Sequence, residues 1–286
     1  MARLAYTRYF LRHNKLTVLG LVIVAIDVVL TVVGPQIVPF APQQANPGNI
    51  LQPPNRVNLF GTDQSGFDIF SRVLAAPQID ITIAVVSTLL SFAVGVVLGV
   101  LAGQADGAGR VRSAAAELLM RTMDVLQAFP VFILAMALVA AMGASPENLI
   151  VAVAFVSTPI FLRLARSEVL AIRQKAYIEA GVISGVSDLR IAFRHLLPNA
   201  LSSALVQASV QIGWAILLTA GLSFVGAGVR VPTAEWGLMI STGARNMITG
   251  EWWIVFFPGI ALGITVLGFA LLGDGLRIYL DPTRRR

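Results

Sequence analysis

Residues 81–103, ITIAVVSTLLSFAVGVVLGVLAG, run for 23 positions without a charged side chain. At about 1.5 Å of rise per residue, a helix of that length crosses the ~30 Å hydrocarbon core of a bilayer. A helix also satisfies its backbone hydrogen bonds internally, as lipid requires. Five further stretches read in the same way: 16–34, 125–142, 149–168, 199–222 and 254–273. The first carries Asp27 near its middle. The stretch 149–168 holds Arg163 and Arg166 near its end, where long side chains can reach an interface. The composition agrees, with 56% hydrophobic and only 13% charged residues, against about 25% charged in an ordinary soluble domain. Disorder, a coiled coil and nucleic-acid binding through a polar basic domain do not fit these figures.

The distribution of charge orients the six predicted spans. Lysine and arginine accumulate in cytoplasmic loops. With both termini inside, only Arg56, Arg72, Arg230 and Arg245 of the 21 basic residues fall outside, and the other 17 lie inside. Five or seven spans would move a basic cluster to the wrong face. The first apolar stretch is read as a retained helix: it is longer than a signal-peptide core, and Val33-Gly34-Pro35-Gln36 is a poor cleavage site. Residues 1–79 form an N-terminal arm, a first helix and an external segment, and 80–286 form a five-helix core. Between the first two spans, about 35–79, Pro35, Pro39, Pro42, Pro47, Pro53 and Pro54 exclude a long helix. The loops at about 169–198 and 223–253 are long enough to hold structure of their own.

Absences narrow the chemistry. No cysteine is present, and His13 and His195 are the only histidines, which leaves no paired metal site and no Ser-His triad. Lys15 and Lys175 are followed by Leu16 and Ala176, so the nucleotide-cradling loop that ends in Lys-Ser or Lys-Thr is missing. Asp27 and Asp124 are two carboxylates without a local pattern for proteolysis. A transporter fits better than a membrane enzyme. The chain itself is expected to bind no cofactor.

The inner loop carries the most information. Tyr177-Ile-Glu-Ala-Gly-Val-Ile-Ser-Gly-Val-Ser-Asp-Leu-Arg-Ile-Ala-Phe-Arg-His-Leu-Leu-Pro198 reads as two short amphipathic helices broken at Gly185. Ser187 is placed to cap the second, with Asp188 in its positive first turn. Pro198 marks the return to the membrane. From these residues alone, a docking segment and a solvated surface loop are equally good readings.

The loop resembles the EAA loop of ABC importer permeases. Glu179, Ala180, Gly185, Leu197 and Pro198 stand at the matching positions, while Gly181 replaces the usual second alanine and His195 the usual isoleucine. Gly61-Thr62-Asp63 with Gly66, Asp68, Ser71 and Arg72 resembles the signature before the second span in dipeptide, oligopeptide and nickel permeases. Met120-Arg121, Asp124 and Ala128-Phe129-Pro130 fit the same family. So do Leu222-Ser223-Phe224, Gly226, Gly228, Pro232, Glu235-Trp236-Gly237, Leu272-Gly273-Asp274-Gly275-Leu276-Arg277 and Asp281-Pro282. The likeness is to the C-type subunit and covers nearly the whole chain. It implies an all-α, six-span type I permease fold in a bacterial cytoplasmic (inner) membrane. It further implies a second, homologous permease subunit, two ABC ATPase subunits that carry ATP and Mg, and an extracytoplasmic substrate-binding protein. Glu179, Ala180, Gly181, Gly185, Asp188, Leu197 and Pro198 would couple to the ATPase. Di- or oligopeptides are the expected cargo, with nickel chelates or another small solute as the alternative and an ion-coupled carrier as the different class.

Other residues are read as structural. Gly95, Gly99 and Gly103 share one face of the second span and suit close helix packing. Asp27 is expected to be partnered or at a subunit contact, and Asp63, Asp68 and Arg72 to cap turns and pair with one another. Trp236, Trp252 and Trp253 fit an interfacial aromatic belt, and Arg284, Arg285 and Arg286 an inner-leaflet anchor.

Overall fold

The computed structural model describes residues 2–106 and 109–280, with the backbone alone at residues 2–5 and at Glu179, Val182 and Leu189. Asp281-Pro282 and the terminal arginines, Arg284 to Arg286, lie outside the described residues. Among those described there is no β-strand, only an isolated bridge between Thr62 and Asp68.

Five helices are long and apolar enough to cross a membrane. The first is α2 (Lys15–Ile37), which follows the short helix α1 (Ala2–His13). The second joins α3 (Ile69–Ala75) to α4 (Pro77–Ala105). Next in order are α5 (Arg110–Ala128) and α6 (Val131–Met142), then α7 (Pro146–Arg173), the third span. Two short helices, α8 (Ala176–Ile183) and α9 (Asp188–Ile191), lead through a π-helical turn, Ala192–Leu196, into α10 (Leu197–Phe224). After α11 (Trp236–Gly243) the chain closes with α12 (Trp253–Leu280).

The predicted third span is broken. α5 and α6 meet at 94°, and they make a sixth span only if the bent pair is counted as one. α6 has 12 residues, or about 18 Å of helix, too short to cross alone. The break has a local cause. Pro130 disfavours helical geometry at the preceding residue, and Phe129 is extended at φ −76°, ψ 139°. The external segment also ends earlier than expected. Residues 69–79 are helical because the Asp68 carboxylate caps α3, accepting from the Ser71 N–H at 2.8 Å.

The main core brings Ile83 of α4, Val139 of α6, Leu149 and Val153 of α7, Leu222 of α10 and Phe269 of α12 together. A second core joins α4, α7 and the start of α10 at the end of the bundle where most basic residues cluster, called here the basic end. The α4–α7 contact is made by the glycine face: a Cβ at Gly95 would stand 2.6 Å from Phe161 Cβ, and one at Gly103 2.8 Å from Val169 Cγ1. Only glycine permits that approach. α2 lies along α12 and leaves most of its apolar surface exposed.

Candidate functional site

At the basic end, the segment between α7 and α10 folds as the helix–break–helix that its residues predict. Ala180 and Gly181 lie in α8, and Gly185 turns the chain with φ +75°. Glu179 is on the same helix, but its side chain lies outside what is described. Asp188 opens α9, whose first closing bond runs from the Ile191 N–H to the Ser187 carbonyl at 3.0 Å. A Cβ at Gly181 would meet open space, so this glycine is not required by packing within the chain. Leu197 and Pro198 open α10 without interrupting the helical path. The backbone passes from α9 into α10 through the π turn, a wider geometry directly before the proline, whose missing N–H breaks the regular ladder.

The loop is tied to its neighbours by charge. Arg112 of α5 donates to the Asp188 carboxylate at 2.5 Å, and Gln104 donates to the Asp188 carbonyl. Arg163 and Arg166 do not simply reach for an interface. They pair with Asp124 at 2.6 Å and Asp106 at 2.8 Å. Arg173 donates to the carbonyls of Gly103 and Asp106 at 2.8 and 2.6 Å. The end of α4, all of α5 and the lower half of α7 are thus laced to one another beside the loop.

The opposite end holds a buried polar cluster. Asp63 accepts from the Ser65 and Phe67 N–H groups at 2.8 and 3.0 Å. Burial raises its pKa, against the backbone donors and Arg72. Asp68 caps α3 and also accepts from Asn58 Nδ2 at 2.8 Å. Arg72, 3% exposed, forms no ion pair with these carboxylates. It donates to the carbonyls of Pro42, Pro232 and Thr233 at 3.0, 3.1 and 2.8 Å and lies over the Phe67 ring. One guanidinium therefore pins the segment after α2 to the loop before α11. Glu235, fully buried, caps α11 through the Gly237 and Leu238 N–H groups at 3.0 and 2.5 Å. Burial pushes its carboxyl up, and those donors pull it back.

Of the three tryptophans read as an aromatic belt, only Trp252 is exposed, at 48%. Trp236 and Trp253 are buried. Their ring N–H groups donate to the carbonyls of Val73 and Thr62, each at 3.2 Å, as buried indoles require.

Comparison with known proteins places this geometry. Residues 95–286 match the family described as binding-protein-dependent transport system inner membrane component. The chain belongs to that family. Residues 4–54 of the permease match the N-terminal transmembrane domain of oligopeptide transport permease C. It is 38% identical over 272 residues to the dipeptide transport system permease protein DppC of Alkalihalophilus pseudofirmus, covering 95% of this chain and 87% of that one. To the probable D,D-dipeptide transport system permease protein DdpC of Escherichia coli it is 38% identical over 274 residues, 96% and 90% of the two chains. The glutathione transport system permease protein GsiD of Pectobacterium atrosepticum is 42% identical over 229 residues, 80% and 74%. The permease is a membrane transport subunit and not an enzyme, in keeping with its family.

Two features of the permease escaped the sequence. A cleft of about 370 Å³ at the basic end is lined by Asp106, Glu117, Arg121, Asp124 and Arg166, and one of about 280 Å³ at the opposite end by Val139, Gly143, Val225, Gly226 and Arg230. Each joins residues from distant segments. Among the described residues no group of three His, Asp or Glu side chains is close enough to hold a metal ion.

Proposed function

We propose that this permease is one of two homologous membrane subunits of an ATP-driven, binding-protein-dependent importer of di- or oligopeptides. The observation that carries this reading is the α8–Gly185–α9 segment, a structured helix pair between two spans at the basic end. It has the shape of an element that seats in a partner. Glu179, Ala180, Gly181, Gly185 and Asp188 would form the contact with an ATPase subunit, and Leu197 and Pro198 would join it to α10. Two ATPase subunits carry ATP and Mg, and this chain binds neither.

The chain crosses a bacterial cytoplasmic membrane six times with both termini inside, the bent α5–α6 pair forming the third crossing. The basic end is then cytoplasmic. The 17-to-4 division of basic residues supports this. The separate family matches over 4–54 and 95–286 support a division into residues 1–79 and an 80–286 core. The names of the relatives, dipeptide, D,D-dipeptide and glutathione permeases, support a peptide cargo. A binding protein delivers it from outside. ATP binding closes the ATPase pair, the docked loops move with it, and the helices pass from inward-facing to outward-facing.

The test is to purify the complex and alter the loop. Glu179→Ala and Gly185→Val should each abolish most peptide uptake and most binding-protein-stimulated ATP hydrolysis. The second forces a β-branched residue into a positive φ. Unchanged coupling in both variants sinks the assignment. The ligand that co-purifies with the binding protein identifies the cargo.

A further inference from the structure

α5 is an unusual helix in this molecule. Of its 19 residues only Ala116 is buried, and Val111, Leu118 and Val125 are all more than 60% exposed. It is not held by an apolar core. Charge fixes it at both ends: Arg112 to Asp188 near its start, and Asp124 to Arg163 of α7 near its finish. Asp106, just after α4, is held by Arg166 on its carboxylate and by Arg173 on its carbonyl. Beyond Phe129-Pro130 the chain bends by 94° into α6, whose Ala135 and Val139 are fully packed in the main core.

We propose that α5 is a strut that carries displacement of the α8–α9 loop to α6, and that Arg112 is the positioning residue that attaches the strut to the loop through Asp188. The inference rests on the loop being the ATPase-docking element. Its physical basis is the contrast in how the two helices are held. α6 is seated on the main core by Ala135 and Val139, with Phe132, Leu134, Met136 and Leu138 partly buried against it, and that face moves with the core, whereas α5 is located by ion pairs between partly exposed groups. Such pairs are each worth little, so they can re-form in a second arrangement at small cost. A movement of Asp188 therefore draws the start of α5 with it, and the rigid helix delivers that movement at the Pro130 bend. Gln104, which reaches the Asp188 carbonyl from the end of α4, keeps the loop and the start of α5 in register.

The experiment uses the assembled complex, with both permease subunits, both ATPase subunits and the binding protein, and reads the ratio of binding-protein-stimulated to basal ATP hydrolysis. Arg112→Glu should lower that ratio about fivefold, the factor equivalent to ~1 kcal/mol at the upper end for one exposed ion pair. Basal hydrolysis, which resides in the partner chains, stays unchanged. Arg112→Lys, which keeps the charge facing Asp188, should keep most of the ratio. An unchanged ratio in Arg112→Glu, or an Arg112→Lys ratio no better than that of Arg112→Glu, overturns the strut. Should Arg112→Glu prevent assembly, Arg112→Gln removes the charge at nearly constant size and is held to the same fivefold fall. A wild-type complex that shows no stimulation overturns the importer reading itself, and the strut with it.

Discussion

Asp27 lies midway along the first span, 6% exposed, with its Oδ1 accepting from the Thr265 hydroxyl of α12 at 3.1 Å and no hydrogen-bond partner on Oδ2. A carboxylate at mid-bilayer is expensive unless it is partnered or put to use. Here the partner belongs to the same chain. The first span packs along α12 at this point, and a structural role is expected. Asp27→Asn keeps the acceptor for Thr265 and removes a buried charge. Uptake into vesicles should stay within about twofold of wild type, with the complex fully assembled. Lost uptake with intact assembly would instead make Asp27 a working group. Arg72 teaches a related lesson at the other end. Its spacing from Asp63 and Asp68 suggested ion pairing, yet its two terminal nitrogens donate to three carbonyls. A planar guanidinium with five donors suits that use, and lysine would not.

Among the elements, the glycines separate into two kinds. On α4 a Cβ at Gly99 would stand 2.8 Å from Ala165 Cβ and would also run into the Leu162 carbonyl. Gly99→Val should therefore destabilise the subunit by about 1–3 kcal/mol or more, seen as a lower midpoint of thermal unfolding in detergent. On α8, Gly181 has nothing within reach of an added methyl group, and Gly181→Ala should raise helix stability by up to ~1 kcal/mol with coupling preserved. If both substitutions behave alike, the assignment of Gly99 to an obligatory helix contact is wrong. The bend between α5 and α6 is also an element-level feature. Its signal stood in the sequence as Phe129-Pro130, where a charge-rich amphipathic stretch gives way to an apolar one. Counting uncharged residues from 125 to 142 passed over that signal, because a hydropathy window is blind to backbone geometry.

At the scale of the whole molecule, orientation is the property most open to test. This chain has no cysteine, so single cysteines report their side without background from it. Val57→Cys, in the exposed segment after α2, should react with a membrane-impermeant thiol reagent in intact cells. Ala114→Cys on α5 should react only after permeabilisation. The reverse pattern would invert the topology. The five long apolar helices were legible from sequence because partitioning into lipid sums over about 20 residues and needs no knowledge of neighbours. The loop was legible too, since Gly185 and the residues around it declare a turn and a helix start locally. Other properties were decided only when distant segments met. Asp80, beside the second span, is 1% exposed and accepts from the Trp236 N–H of a distant helix. Trp236 and Trp253 read as interfacial and are buried. Arg163 and Arg166 read as side chains seeking water and instead find Asp124 and Asp106, 39 and 60 positions away. Sequence by itself determined where five helices long and apolar enough to cross a membrane lie, a matter of each segment's own composition. The tertiary structure alone decided how the polar groups within and beside those segments are satisfied, because each partner lies on another helix.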